Sequence, residues 1–91
     1  MNAVAMKRKV DEALRMGREL IQAGKSVSTV KVVLEQLVYL EEVYDRDGNF
    51  RSVPPGKLTI GVIAAKEFDV SHPKFANVLG EIDYALDHPD S

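Results

Sequence analysis

Few residues in this chain of 91 have the types and spacing that enzyme chemistry needs. Gly24-Lys25-Ser26 has the ending of a phosphate-binding loop, but Glu19 stands where that motif requires its first glycine. Asp69 and His72 are three residues apart and could share a metal ion, but no third ligand accompanies them. The absence of cysteine excludes thiolate nucleophiles, thiolate zinc sites and disulfides. We therefore expect no enzyme, with no catalytic residue, metal or cofactor.

The acidic stretch Glu41-Glu-Val-Tyr-Asp-Arg-Asp47 is more suggestive of binding. It places four carboxylates beside Tyr44 and Tyr39, at the end of a predicted helix and in the loop that follows. Carboxylates at a helix C-terminus oppose the helix dipole, so their presence there favours a role in holding a partner. Tyrosine is a common anchor at interfaces. The simpler alternative is that both tyrosines only cover the edge of the core.

Charge is divided unevenly along the chain. Residues 1–31 carry seven basic and three acidic side chains, whereas residues 32–91 carry five basic and eleven acidic ones. An acidic second half predicts a basic protein partner rather than nucleic acid. The basic face of the first helix is interleaved with acidic residues and has no aromatic side chain for base stacking, so we expect no nucleic-acid binding. No apolar run is long enough to cross a bilayer and no signal peptide is visible, which favours a cytoplasmic protein without membrane contact.

Helical periodicity predicts one all-α domain over residues 1–91, folded as a compact bundle of about four helices. We expect helices at about 3–23, 26–44, 58–68 and from 73 onward, with a loop at 45–56 and a tail at 88–91. A cluster of β-branched residues makes a strand over Val27–Val33 the alternative for part of the second helix. Helical spacing continues to Tyr44 without a breaker, which favours the helix.

The helix ends have recognisable signals. Gly24 is suited to stop the first helix, because glycine adopts the left-handed conformation at little steric cost. Ser26 or Ser28 is expected to cap the second helix. Ser71 or His72 is expected to cap the fourth, with Pro73 in its first position.

The segment Lys57–Asp69 predicts a helix with almost no polar face between Leu58 and Ala65. Such a helix should be covered on most sides, so we expect it to lie at the centre with the three amphipathic helices around it. Gly61 is expected to let two helices approach closely. The wide apolar stripes of the first two helices leave a homodimer possible.

The same segment resembles a known family. Leu58-Thr-Ile-Gly61, Ala64-Ala-Lys-Glu-Phe-Asp69 and Pro73 are similar to residues of the small helical immunity proteins of type VI secretion systems. The similarity extends more weakly through Glu35-Gln-Leu-x-Tyr39 and Asp45-Arg46, and is closest to the group that protects against NAD(P)-glycohydrolase toxin domains. The resemblance implies a non-enzymatic inhibitor that binds its cognate toxin domain in the cytoplasm and blocks the nucleotide-binding cleft. A cleft that binds a dinucleotide should be basic, so acidic side chains could take the place of phosphates.

On this hypothesis the toxin is bound by carboxylates and aromatic anchors that gather at two adjacent helix ends. The predicted residues are Tyr39, Glu41, Glu42, Tyr44, Asp45, Asp47, Phe50, Glu67 and Asp69. One alternative is a helical regulatory or interaction module with an unrelated partner, and another is a small enzyme or ligand-binding bundle.

Overall fold

The computed structural model describes residues 1–88 as four helical elements. They are α1 (Ala3–Gln22), α2 (Val27–Asp47), α3 (Ile60–Ile63) continued by a π-helical segment (Ala64–Phe68), and α4 (Pro73–Asp87). No strand occurs within residues 1–88, so the all-α fold with four helices is confirmed and the alternative strand over Val27–Val33 is wrong. Of the predicted tail, only His88 lies within the described residues.

The helices close into a ring in which each contacts two neighbours. α1 packs between α2 and α4, and α3 packs between the same two helices on the other side. Gly17 in α1 meets Leu34 in α2, while the Lys7 ammonium lies 5.7 Å from the centre of the Tyr44 ring, so α1 and α2 run antiparallel. The described bundle is elongated, with extents of 34 × 21 × 20 Å.

The core consists of one apolar stripe from each element. Phe68 and Phe75 meet edge to face, with ring centroids 5.1 Å apart, where the π-helical segment joins α4. Burying these stripes removes apolar area from water, which is the main favourable term in folding. The fully or nearly fully buried side chains include Met6, Val10, Leu14, Val30, Val33, Leu37, Leu40, Ile60, Ala64, Phe68, Phe75, Leu79 and Ile82.

The third helix is covered on one face only. Ile60, Ala64 and Phe68, four residues apart, face the core, whereas the Val62 side chain is 57% exposed and Ala65 is exposed as well. The expectation that neighbours cover this helix on most sides is therefore wrong. The reason is its position in the ring, where α2 and α4 lie against one side and solvent lies against the other.

Glycine ends the first helix as expected, but the predicted side-chain caps do not form. Gly24 has φ +70° and its N–H donates to the carbonyl of Ile21. Ser26 and His72 occupy the N-cap positions of α2 and α4, yet neither side chain accepts a capping hydrogen bond. Pro73 does open α4, where its missing N–H leaves no helical bond unmade.

Candidate functional site

The acidic stretch lies on the last turns of α2 rather than in a loop. α2 continues to Asp47, about three residues past its predicted end, and stops at Gly48, which has φ +71° and donates its N–H to the Tyr44 carbonyl at 2.7 Å. Glu42 and Asp45 are exposed and Glu41 is half-buried. The helix thus fixes the backbone positions from which these carboxylates project.

The Asp47 carboxylate is bonded to Arg46 and to the loop that follows α2. The carboxylate accepts hydrogen bonds from Arg46 at 3.0 and 3.1 Å and from the Ser52 hydroxyl at 2.7 Å. These bonds, the one from Arg46 foremost, lower the pKa of Asp47 below its usual range. The Asn49 side chain donates to the Asp47 carbonyl and accepts from the Arg51 N–H, which closes the turn. Asp47 therefore holds the start of the loop as well as presenting charge.

The aromatic residues of this end divide between core and surface. Phe50 is 9% exposed, belongs to the core and stacks on Tyr44 with centroids 5.5 Å apart. Phe50 therefore fixes the loop to the bundle, and little of its ring remains for the contact predicted from sequence. Tyr39 is half-buried, and the Lys57 ammonium lies 5.0 Å from its ring centre.

Glu67 and Asp69 lie at the opposite end of the bundle. The connection that follows them, Ser71 to Pro73, lines a hollow together with Ala23 and Lys25, which adjoin the first residues of α2. A 21-residue helix is about 30 Å long, so this hollow is far from Asp47. The expectation that all the predicted carboxylates gather at two adjacent helix ends is therefore wrong.

A side-chain clamp that the sequence reasoning missed explains this separation. The Gln36 amide donates to the Thr59 hydroxyl at 2.8 Å and accepts from the Thr59 N–H at 2.8 Å. The chain after α2 is thereby drawn back to the middle of that helix, and α3 starts there instead of beside Asp47. Only the position of Gln36 on the helical wheel, next to the buried stripe, could have indicated the contact.

The outer face of α2 carries an open hollow of about 440 Å³, which we call the α2 hollow. It contains two of the predicted residues, Tyr39 and Glu42. The other lining residues were not among those predicted, and two of them, Leu34 and Val38, are only half-buried. The hollow is lined by Lys31, Leu34, Glu35, Val38, Tyr39 and Glu42.

A comparison with known families gives a match over nearly the whole chain. The model of the Tsi6 family matches residues 5–88, from the first turn of α1 to the end of α4. The chain belongs to the Tsi6 family. Tsi6 is a family of type VI secretion immunity proteins, so the coarser part of the resemblance is confirmed, and it extends through α1, where the sequence showed no likeness. No curated protein and no solved structure gives a significant match.

Immunity proteins of this family are generally not enzymes. Within residues 1–88 no three side chains of metal-binding type lie close enough to hold an ion. Gly24, Lys25 and Ser26 form the tight turn between α1 and α2. In the same part of the chain, no helix has the length and apolarity to span a membrane.

Proposed function

We propose that this immunity protein binds the toxin domain of a cognate type VI effector and blocks its nucleotide-binding site, which protects the producing cell or its kin. The family match over residues 5–88 carries the proposal, because immunity proteins act on a cognate toxin. The resemblance of residues 58–73 to inhibitors of NAD(P)-glycohydrolase toxins supports the nucleotide-directed part. Inhibition would take place in the cytoplasm and would require no catalysis by the immunity protein.

The C-terminal half of α2 is the surface best suited to such a contact. Glu42 and Asp45 are exposed, Glu41 is half-buried, and Tyr39 and Tyr44 present partly exposed rings on the same helix. Carboxylates held on a rigid helix can occupy the positions that phosphates take in a basic cleft, and they speed association by long-range attraction. Glu67 and Asp69, at the other end of the bundle, would not reach the same cleft.

The test begins with co-purification of the tagged protein from its native host and identification of the bound effector. The toxin domain is then purified, and its hydrolysis of NAD(P) is measured with increasing immunity protein. We expect full inhibition at one equivalent, relieved by excess dinucleotide in proportion to its concentration. The immunity protein alone should leave NAD(P) intact.

Each part of the proposal would be refuted by a different result. Failure of the purified pair to form a complex would refute toxin binding. A tight complex in which the toxin still binds dinucleotide would retain toxin binding but refute the blocked site. Turnover of NAD(P) by the immunity protein alone would favour the alternative of a small enzyme.

A further inference from the structure

Ion pairs divide the carboxylates of the described chain into two groups. Four of them pair with a cation within 3.0 Å, namely Asp11 with Lys7, Glu19 with Arg15, Asp47 with Arg46 and Glu81 with Lys9. Glu35, Glu41, Glu42 and Asp45 on α2 have no such partner within residues 1–88. α2 therefore combines four unpaired carboxylates on one helix.

Two of these four are less compensated than the others. Lys7 bonds to Asp11, and that bond is the main reason why the pKa of Lys7 is raised, but the charges of Glu41 and Asp45 contribute to the same shift. Lys7 thus partly offsets Glu41 and Asp45. Glu35 and Glu42 are exposed, and Lys31, which lines the same hollow one helical turn before Glu35, offsets part of their charge. Two carboxylates against one ammonium leave an excess of negative charge in the hollow for a partner.

Glu35 and Glu42 stand on either side of an apolar floor in the α2 hollow. They are seven residues apart, which places them on the same face at a spacing of about 10 Å along the helix axis. Val38 and Tyr39 lie between them along the helix and Leu34 is next to Glu35, and all three apolar side chains are half-buried. An apolar floor with charged residues at its edge is the arrangement typical of a binding surface.

The floor is held rigidly before any partner arrives. The Gln36–Thr59 clamp ties the middle of α2 to the start of α3, and Lys57 lies against the Tyr39 ring. A surface whose side chains are already ordered loses less conformational entropy on binding.

We infer that the α2 hollow is a docking surface for a segment of the toxin domain that places an apolar side chain between two basic side chains about 10 Å apart. The inference rests on the proposed function, and charge complementarity selects the occupant. A second copy of this chain fits less well in the register that centres on the two carboxylates. Two α2 helices packed antiparallel across the hollow, about a two-fold axis between Val38 and Tyr39, would bring Glu35 of each copy to Glu42 of the other, and like charges oppose such contacts.

The experiment compares two double variants with the same change in charge. Glu35→Lys with Glu42→Lys reverses the charge of the hollow, and Glu67→Lys with Asp69→Lys makes the matched change at the opposite end of the bundle. The probe is the purified toxin domain, and binding is followed by surface plasmon resonance at several salt concentrations. We expect about a 100-fold loss of affinity for the first variant, with a slower on-rate that depends less on salt, and about threefold or less for the second.

Two further variants separate a binding effect from misfolding. Glu35→Gln with Glu42→Gln removes the charges without reversing them, and about a 10-fold loss is expected if the carboxylates attract the partner. Tyr39→Ala should raise the off-rate about 30-fold, as loss of an interface anchor does. Circular dichroism spectra and melting temperatures of all variants establish that the fold is retained.

The results distinguish the docking surface from the proposed function. If the wild-type protein binds the toxin but both Glu35/Glu42 variants bind equally well, the docking surface is wrong and the proposed function stands. A loss confined to the Glu67/Asp69 variant would place the toxin at the other end and also overturn the inference. If the wild-type protein does not bind its toxin, the proposed function itself fails. A dimer that the Glu35/Glu42 variants abolish would assign the hollow to a second copy instead.

Discussion

Replacing Gly61 by alanine tests the closest approach between two helices of the bundle. A Cβ atom at Gly61 would overlap the Asp83 carboxylate, and it would lie 2.5 Å from the Asp83 Cγ and 3.0 Å from its Cβ. The Cβ of Asp83 is bonded directly to the α4 backbone, so side-chain rotation cannot relieve that contact. α3 and α4 must move apart, and this supports the packing role predicted for Gly61.

The size of the effect follows from two opposing terms. Overpacking a close contact costs about 1–3 kcal/mol, whereas alanine favours a helix over glycine by up to about 1 kcal/mol. We therefore expect Gly61→Ala to lower the free energy of unfolding by about 1–2 kcal/mol. For a domain of this size, that corresponds to a melting temperature roughly 5–15 °C lower.

Gly80 provides a matched control. It lies inside α4, and a Cβ built there would meet no atom within 4 Å. Gly80→Ala should therefore show the propensity gain alone, about 0.5–1 kcal/mol of added stability. Urea unfolding followed by circular dichroism measures both variants on one scale.

A double-mutant cycle attributes the loss to the contact itself. Adding Asp83→Ala to Gly61→Ala removes the overlapping carboxylate but keeps the Cβ at position 83, so part of the lost stability should return, with a coupling energy of about 0.5–3 kcal/mol. The reasoning would be refuted if Gly61→Ala were as stable as Gly80→Ala, or if Asp83→Ala brought no recovery.

Two other predictions concern stability. Burial, followed by the charge of Asp87, raises the pKa of Asp83, so the folded state holds this proton more tightly and stability falls as pH rises from the usual Asp range to the raised pKa. Asp83→Asn should accordingly be more stable than wild type at pH 7. Thermal melts should show this advantage shrinking as pH falls from the raised pKa to the usual Asp value of about 4. An advantage independent of pH would contradict the assignment. Gln36→Ala removes both hydrogen bonds to Thr59 and should lower the free energy of unfolding, measured in urea, by about 1–2 kcal/mol. Glu35→Ala, at the exposed neighbouring position, should change it by no more than about 0.5 kcal/mol. Equal effects of the two variants would mean that the clamp contributes nothing.

The sequence predicted the helices well where one residue type decides the local geometry. The stripe of Met6, Val10 and Leu14 is buried because its spacing matches the helical repeat, and Gly24 stops α1 because it can adopt a positive φ. The predicted end of α2 came about three residues too early, because the polar run from Asp45 suggested a loop. The helix instead continues to Asp47 and stops at Gly48, which adopts a positive φ and donates its N–H to the Tyr44 carbonyl. Local signals of this kind depend on neighbouring residues alone.

The predictions that failed depend on contacts between distant parts of the chain. Periodicity shows that Val62 and Ala65 are apolar but not that solvent, rather than another helix, lies beside them. Likewise, the distance of Glu67 from Asp45 depends on where the intervening chain returns to α2. Two bonds between Gln36 and Thr59 determine that return, and no spacing rule connects residues 23 positions apart.

The ring arrangement affects the order in which the helices can pack against one another during synthesis. α1 and α2 are joined by a short turn and can pair early, because closing a short loop costs little entropy. The other side of α1 is covered by α4, which is synthesised after α1, α2 and α3, and Lys9 of α1 forms its ion pair with Glu81 of α4. A nascent or truncated chain that ends before Pro73 therefore leaves apolar surface of α1 open to chaperones and proteases.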